Sequence, residues 1–548
     1  MQLDNYSPNT VMVALLLFPA TANAQSGGQF ERIHQQLGGA DQDRFGSRVC
    51  HAGDINQDGF EDYLVGAPST DVDGHENAGS VYIYSGATQT LLYQFDGGFR
   101  NKNLGKHISG VGDVNGDGFD DILIGNPDAS PNDNHKAGSA WVYSGADGSL
   151  IYQFHGTTYN KYLGGSVSGA GDINNDGFPD FMFKDFLDVV IHSGVDGSLI
   201  YRLTQPSGAY GFGQSLAAMG DVDEDGFGDI LIGAPHADVN FIEAAGRAFI
   251  YSGATGQLLY EFEGQHYELE LGYAVACAGD VNADGIQDAL LGSNGGVYLY
   301  SGANGDHLFE LEKLGYYSHF GIAVSGAGDL DQDGHDDFLV GDPPGNNSSD
   351  GKVFCYSEAT GKIMLKLTTA SEEGLGFSVS GLNDVNGDGD LDFIVGLQTK
   401  EDVGTGEETG CIEIHSLRSL LKTGVHTVSA ADGGNVIFLL DFPADSANLD
   451  FKILASQSGR GPSDLGIYVP LTRDRMAVDS YYGRYPNNTH FNLHGELDAT
   501  GKSFSSFYFP RKMPSFMIGS IYYFAAVVFN NNGTPKYSSI ARTIEILP

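Results

Sequence analysis

An acidic segment of nine residues recurs seven times along the chain and constrains its fold more than any other feature. The segments are DINQDGFED from Asp54, DVNGDGFDD from Asp113, DINNDGFPD from Asp172, DVDEDGFGD from Asp221, DVNADGIQD from Asp280, DLDQDGHDD from Asp329 and DVNGDGDLD from Asp384. Successive segments begin 59, 59, 49, 59, 49 and 55 residues apart. This period fits a four-stranded blade better than the turn of a nonapeptide β-helix, so the repeat predicts a β-propeller of seven blades.

The residues around each acidic segment predict four strands per repeat. A Phe-Gly or Leu-Gly pair precedes the segment, as at Phe45-Gly46, and an apolar run follows it and ends in glycine, as at Gly66. Alternating apolar residues and a Ser-Gly turn come next, so each blade is expected to place the acidic segment between its first and second strands. The last repeat lacks a fourth strand. We therefore expect residues 30–37 to supply that strand and to close the ring.

Composition divides the chain into two parts. Glycine makes up 78 of the 548 residues, about twice its usual share, which favours a turn-rich β protein. The chain carries 71 acidic and 28 basic residues, for a net charge of −43. Residues 425–548 contain ten of each, so the whole excess lies in residues 1–424. This charge argues against binding to nucleic acid or to anionic membranes and makes cations the natural partners.

The domain prediction has three segments. Residues 1–24 contain an apolar run and end in Ala22-Asn23-Ala24, which is typical of a signal peptide, so the protein is expected to be secreted or associated with the cell surface. Residues 25–424 are expected to form the propeller and residues 425–548 a small β-sandwich, which makes the fold all-β. No transmembrane segment is expected, because no later apolar run reaches ~20 residues. Four dispersed cysteines are expected to be core residues.

Oxygen-bearing residues alternate through each acidic segment, as a Ca²⁺ site requires. Position 1 is Asp54, Asp113, Asp172, Asp221, Asp280, Asp329 and Asp384; position 3 is Asn56, Asn115, Asn174, Asp223, Asn282, Asp331 and Asn386. Position 5 is Asp58, Asp117, Asp176, Asp225, Asp284, Asp333 and Asp388; position 9 is Asp62, Asp121, Asp180, Asp229, Asp288, Asp337 and Asp392. A backbone carbonyl is expected to face the ion at position 7, which is Phe60, Phe119, Phe178, Phe227, Ile286, His335 and Asp390.

These segments predict up to seven structural Ca²⁺ sites. Glycine at position 6 permits a sharp turn toward the ion. An EF-hand would need glutamate at position 12, where this chain has only apolar residues such as Val65 and Ile124. The alternative is a set of polar surface turns, which would leave at least three carboxylates close together without neutralisation in every loop.

The repeats resemble the FG-GAP repeats of the integrin α-subunit N-terminal domain, from residue 30 to residue 424. This resemblance implies a seven-bladed propeller with calcium in several blades, calcium ligands at the loop positions given above, and strand 1–2 loops on the lower face. The chain departs from the pattern at Lys184, which replaces the glycine after strand 2 in the third repeat. All seven repeats carry a full ligand set. No membrane helix or long leg region follows the repeats, so a receptor heterodimer is not implied.

Partner binding is expected on the opposite, upper face. The strand 2–3 loops there are long in several blades, as at 67–78, 126–137 and 234–245, and nearly absent in blades three and five. The strand 4–1 loops carry Phe99, Arg100, Tyr159, Tyr162, Tyr210, His266, Tyr267, Tyr316 and Tyr317. Aromatic residues among polar loops suit recognition of an extracellular protein or glycan. The alternative is that these rings cover the core.

The leading hypothesis is thus a cell-adhesion or recognition module, for which no catalytic residue is predicted. The sequence has neither an H-E-x-x-H nor a G-x-S-x-G motif. Two alternatives stay open at this point. The first is a secreted hydrolase that cleaves polysaccharides or phosphoesters with upper-face carboxylates. The second is a structural scaffold of an exported assembly.

Overall fold

The computed structural model describes residues 30–417, apart from 99–101, 313–318, 332–333, 345–349, 358–361, 370–372 and 403–404, and beyond residue 417 the backbone of ten strands. Two compact units are present, one spanning Phe30–Ser419 and the other beginning at Leu420. The predicted signal peptide, residues 1–24, lies outside the described residues, so it remains a prediction.

The first unit is a β-propeller of seven antiparallel four-stranded sheets, as predicted. Strand β1 (Phe30–Leu37) belongs to the last blade. Blades one to three contain β2 (Arg48–Gly53), β3 (Asp62–Ala67), β4 (Ser80–Tyr84), β5 (Leu91–Asp96), β6 (His107–Gly112), β7 (Asp121–Asn126), β8 (Ser139–Tyr143), β9 (Leu150–His155), β10 (Val167–Gly171), β11 (Asp180–Asp185), β12 (Asp188–His192) and β13 (Leu199–Leu203). Blades four to seven contain β14 (Ser215–Met219), β15 (Asp229–Ala234), β16 (Arg247–Tyr251), β17 (Leu258–Glu263), β18 (Ala274–Gly279), β19 (Asp288–Ser293), β20 (Gly296–Tyr300), β21 (His307–Glu312), β22 (Ala323–Gly328), β23 (Asp337–Asp342), β24 (Lys352–Ser357), β25 (Lys362–Thr368), β26 (Leu375–Leu382), β27 (Asp392–Leu397) and β28 (Cys411–Leu417). A 3₁₀ turn, Pro131–Asp133, lies in the strand 2–3 loop of blade two.

The first strands of the blades surround the central axis. Strands β2, β6, β10, β14, β18, β22 and β26 contact one another in that order, and β26 contacts β2, so the ring is closed. Each of these inner strands ends at an acidic loop. The loops between strands 1 and 2 therefore share one face, called the lower face, and the strand 2–3 and 4–1 loops share the upper face.

The second strand of each blade is the most deeply buried. All six residues of β3 are buried, as are all six residues of β7, β15, β19, β23 and β27. Apolar clusters fill the space between neighbouring blades. In one of them Leu64 and Ile83 of blade one pack with Ile108, Ile122 and Trp141 of blade two. A strand that packs on both faces explains why the sequence there is an uninterrupted apolar run.

The paired glycines that six of the repeats contain are explained by contact between blades. Gly46 and Gly105 have φ of +85° and +100°, a conformation that glycine adopts without strain. The carbonyl oxygen of Gly105 would lie 1.9 Å from a Cβ placed on Gly66 of the preceding blade. The same 1.9 Å approach joins Gly396 of blade seven to Gly46 of blade one. Any side chain at the strand 2 glycine would push the next blade away.

Blade seven receives its outer strand from the other end of the unit. Strand β1 pairs antiparallel with β28, from Phe30 opposite Leu417 to Leu37 opposite Cys411. The Phe30 ring also packs edge-on against Phe393, with ring centroids 5.9 Å apart. Residues 30–37 therefore join the two ends of the ring and cover the edge of β28.

The second unit contains two sheets. One has the order β29 (Leu421–Thr423), β31 (Gly434–Asp441), β35 (Lys502–Phe509) and β33 (Phe491–Asn492). The other has the order β30 (Thr427–Ser429), β38 (Arg542–Leu547), β36 (Ile521–Phe529), β32 (Asp450–Ser456) and β34 (His494–Glu496), and β37 (Pro535–Ser538) pairs with β36. The predicted sandwich remains a prediction.

Two further features of the described residues are the state of the cysteines and the length of any apolar helix. All four cysteines are free; Cys355 and Cys411 are buried, and Cys50 and Cys277 are half-buried. Within the described part of the chain, no helix is long and apolar enough to cross a membrane.

Candidate metal centres

Each acidic segment forms the loop from an inner strand to the buried second strand. Position 1 directly follows the inner strand in five blades, as Asp54 follows β2, and position 9 is the first residue of the second strand in all seven. Position 6 is a glycine with φ between +88° and +95° in every loop. The predicted sharp turn is therefore present at the position 6 glycine of all seven loops.

Hydrogen bonds within the loop orient these side chains. In blade one the Asp54 carboxylate accepts the N–H groups of Asp58 and Gly59 at 3.0 and 2.9 Å. The Asn56 side-chain oxygen accepts the Asp58 N–H at 2.9 Å, and Asp58 accepts the Phe60 N–H at 3.0 Å. Blades two to five repeat this pattern. The loop therefore fixes three oxygen-bearing side chains on one side of a turn.

Among the described residues, three carboxylates come within reach of one ion only in blades four and six, and the aspartates at positions 1, 5 and 9 of the other loops do not form such a group. Oxygens of Asp221, Asp223 and Asp225 lie within 4.8 Å of one another, and the same holds for Asp329, Asp331 and Asp337. These are the two loops with aspartate at position 3. The loops with asparagine at position 3 present its amide oxygen, in place of a carboxylate oxygen, to the backbone N–H of position 5. Asp333, a predicted ligand of blade six, lies outside the described residues.

Position 9 is a fully buried aspartate in each blade. Asp229 accepts the N–H of Val222 at 2.8 Å and that of Gly253 at 3.0 Å. Asp62, Asp121, Asp180 and Asp288 accept the same two kinds of N–H. Burial raises the pKa of Asp229 to about 6, and the nearby carboxylates add to the shift. A buried carboxylate with negative neighbours needs a cation or a proton.

The loop carboxylates receive no positive side chain in most blades. In blades one to five and seven, no described lysine or arginine forms an ion pair with an aspartate at position 1, 3, 5 or 9. Hard divalent cations prefer clustered carboxylate and amide oxygens of this kind. The residues present therefore fit a divalent cation. The carbonyl ligand at position 7 stays a prediction.

The Ser-Gly turn after strand 3 is a part of the site that the sequence did not reveal. The hydroxyl groups of Ser85, Ser144 and Ser193 lie 3.2–3.4 Å from the position 5 carboxylates of their own blades. The next residue, a glycine such as Gly86, donates its N–H to the position 9 aspartate. The Ser-Gly pair recurs in the first five repeats, which was the available signal, but from the sequence it indicated only a turn.

Position 8 connects neighbouring blades, which the sequence also did not reveal. Asp120 of blade two accepts the N–H of Asp54 of blade one at 2.7 Å, and Asp336 of blade six accepts that of Asp280 at 2.8 Å. Gln287 accepts the Gly220 N–H at 2.7 Å. Glu61 accepts the Asn383 N–H where blade seven meets blade one. The position 8 residue thus holds the loop of the preceding blade.

Replacing Asp120 with alanine is expected to lower the free energy of unfolding by about 1–2 kcal/mol, because the Asp54 N–H loses a charged acceptor. Urea denaturation of the two proteins measures this difference. Asp120→Asn is the matched control, since its amide oxygen can still accept the bond. An alanine variant as stable as the unchanged protein would contradict the assignment.

The position 9 aspartates also predict a pH dependence in the metal-free protein. Burial raises the pKa of Asp62, Asp121, Asp288 and Asp392 to about 7, and of Asp180 and Asp229 to about 6, from a usual value of 3.8. A raised carboxyl pKa means that the folded state binds more protons than the unfolded state, so stability falls as pH rises through the folded value. The chelated protein is expected to melt at a higher temperature near pH 5 than near pH 8.

Calcium-loaded protein provides the control for that pH dependence. An ion that holds the carboxylates ionised is expected to flatten the curve over the same range. Melting curves in chelator and in calcium, recorded at each pH, measure both effects. A chelated protein that becomes steadily less stable below about pH 7 would contradict the prediction.

The upper-face residues singled out by sequence are largely exposed. Tyr159, Tyr210 and Tyr267 expose 67%, 58% and 63% of their surface, and Tyr162 exposes 41%. The rings of Tyr159, Tyr210 and Tyr267 are mostly exposed and therefore do not cover the core. Phe241, in the strand 2–3 loop of blade four, is fully exposed although the sequence did not single it out. Four predicted residues lie outside the described part: Phe99, Arg100, Tyr316 and Tyr317.

Comparison with known proteins identifies the repeats. The FG-GAP repeat family matches residues 45–84, 108–143 and 212–251, and the FG-GAP-like repeat family matches residues 280–340. These ranges include the acidic loops of blades one, two, four, five and six. The chain is similar to integrin alpha-2 of Bos taurus (31% identity over 183 residues) and to integrin alpha-E of Mus musculus (36% over 152 residues). The matches cover 31% and 25% of this chain and only 15% and 13% of those relatives.

Proposed function

The chain forms an integrin α-like FG-GAP repeat propeller, and on that basis we propose that it is a secreted or cell-surface recognition module. Its seven lower-face loops hold Ca²⁺, and its upper face binds an extracellular protein or glycan. The observation that carries this proposal is the recurrence, in blades one to five and seven, of oriented loop carboxylates that pair with no described lysine or arginine, below a face with exposed aromatic residues. The integrin α relatives support the adhesion class, although they align with the chain over a small part of their length.

Calcium is assigned a structural role. The residues that would hold it are the side chains at positions 1, 3, 5 and 9 and the carbonyl at position 7 of each loop. When bound, Ca²⁺ would supply positive charge to carboxylates that otherwise repel one another. Because position 9 begins the buried second strand and position 8 contacts the preceding blade, ordering the loop stabilises both the blade and its neighbour.

The upper face is assigned the recognition role because its loops combine aromatic and polar groups. The His135 and Tyr159 rings stack with centroids 5.3 Å apart, which joins the strand 2–3 loop of blade two to the following strand 4–1 loop. Tyr210 and Tyr267 are exposed on later blades. Exposed tyrosines supply contact area with little loss of conformational freedom.

A binding screen tests the recognition proposal. The chain from Gln25 onward is applied to arrays of glycans and of extracellular matrix proteins in calcium, and hits are quantified by surface plasmon resonance. Replacing Tyr159, Tyr210 and Tyr267 with alanine is expected to weaken binding at least tenfold, since truncating aromatic anchors costs about 1–2 kcal/mol each. A matched control truncates Leu91, Leu150 and Leu258, which are exposed on outer strands.

The other candidate functions give different outcomes in that screen. Cleavage of a polysaccharide or phosphoester that is lost when upper-face carboxylates are replaced would favour the hydrolase. Absence of every hit would favour the scaffold. Binding that the triple tyrosine variant retains in full would contradict the assigned surface.

A further inference from the structure

A cavity of about 670 Å³ opens at the upper end of the central channel. Its wall includes the first residues of the inner strands, such as Arg48 of β2, His107 of β6 and Ser215 of β14. Those strands end at the acidic loops. The cavity and the candidate metal centres therefore lie at opposite ends of the same strands.

The charge of this cavity is the reverse of that of the chain. Arg48, Lys106, Lys161 and Lys184 line it, together with His107. The residues that line it include no aspartate or glutamate among the described part of the chain. In a protein with a net charge of −43 and only 28 basic residues, four basic side chains around one cavity form a local positive field.

The basic residues of the cavity wall differ in whether a carboxylate lies close enough to neutralise them. Lys106 lies 3.6 Å from Asp128, which Lys136 also engages at 2.8 Å. Lys161 lies over the Phe186 ring, 4.8 Å from its centroid. Arg48 and Lys184 form no ion pair with any described residue. Two basic groups in the cavity wall are thus available to an anion.

Lys184 occupies a position that other blades give to glycine. In the other six repeats the equivalent residue is a glycine, as at Gly66, that allows the next blade to approach. In blade three the Lys184 side chain lines the cavity instead. Burial lowers its pKa to about 8. Burial and the charges of Arg48, Lys106 and Lys184 likewise lower the pKa of His107 to about 3, in keeping with a positive environment.

We propose that the upper mouth of the channel binds a compact oxyanionic ligand, with Arg48 and Lys184 as its principal contacts. A guanidinium group suits carboxylate, sulfate and phosphate oxygens, and lysine adds a point charge. The cavity is larger than a single inorganic ion, and the Tyr162 and Tyr273 rings in its wall suit the carbon skeleton of a ligand that carries several such groups. Such a ligand enters through the upper face.

Isothermal titration calorimetry of the full chain in excess calcium tests this proposal. The probes are inorganic sulfate, tricarballylate and inositol hexasulfate, with uncharged inositol as the negative control, all at one ionic strength. Inositol hexasulfate is expected to bind with one ligand per propeller. Equal affinity for sulfate would identify an inorganic ion as the ligand, and preference for tricarballylate would identify a carboxylate ligand.

The variant R48Q/K184Q is expected to lose affinity for the bound probe by about tenfold or more, because two charge-assisted contacts are removed. The control R202Q/K366Q removes the same charge from the outer strands β13 and β25 and is expected to bind as before. Melting temperature and calcium content verify that each variant is folded. Absence of binding by all three anions, or equal affinity of the two variants, would overturn the proposal without affecting the calcium sites.

Discussion

Removal of calcium is expected to lower the melting temperature of the propeller by roughly 10 °C. At about 1 mM free calcium and a dissociation constant of about 10⁻⁴ M, each occupied loop contributes about 1.4 kcal/mol, and seven loops contribute about 10 kcal/mol. The unfolding entropy of a unit spanning Phe30–Ser419 is on the order of 0.8 kcal/mol/K, which gives the stated shift. Differential scanning calorimetry before and after chelation measures it.

Two controls separate calcium from general ionic effects. Adding calcium back after chelation is expected to restore the original melting temperature, whereas magnesium at the same concentration is expected to restore little, since Mg²⁺ requires near-octahedral geometry and loses water reluctantly. A shift of less than about 2 °C on chelation would contradict bracing by multiple ions.

Replacing Asp229 with alanine is expected to destabilise the metal-free protein by roughly 2–6 kcal/mol. The carboxylate is fully buried and accepts the N–H groups of Val222 and Gly253. Each donor left without an acceptor costs about 1–3 kcal/mol. Urea denaturation in chelator measures this loss apart from any effect on metal binding.

Glu224→Ala is the matched control for that variant. Glu224 lies in the same loop, is exposed and is not among the predicted ligands, so its truncation is expected to change stability by less than about 0.5 kcal/mol. Asp229→Asn should be intermediate, because its amide keeps one oxygen acceptor. Equal stability of the Asp229→Ala and Glu224→Ala variants would show that the position 9 carboxylate does not stabilise the blade.

The blade architecture was predictable because each repeat carries its own local signals. The acidic loop, the paired glycines and the apolar second strand have fixed spacings, so seven copies imply seven blades. The antiparallel pairing of residues 30–37 with β28 agrees with the strand missing from the last repeat. The sequence predicted oxygen ligands on one side of each loop. In blade one, the hydrogen bonds that Asp54 and Asn56 accept orient their side chains toward that side.

Contacts between blades could not be predicted from the repeat alone. Asp120 and Glu61 at position 8 are indistinguishable in sequence from exposed turn residues, and only the ring brings them to the preceding blade. The basic cavity likewise depends on how the blades are arranged around the ring, which the repeat alone does not show. Arg48 begins β2, Lys161 lies between β9 and β10, and Lys184 lies in β11, and they line one cavity because the inner strands converge on one axis.

Equilibrium dialysis with radioactive calcium tests the central claim most directly. At about 2 mM free calcium, well above the expected dissociation constants, the chain from Gln25 onward should bind about seven ions. Replacing Asp221, Asp223 and Asp225 with alanine should remove one ion and leave the others bound. Binding of one ion or none by the folded protein, or an unchanged stoichiometry in the triple variant, would contradict the assignment of calcium to the acidic loops.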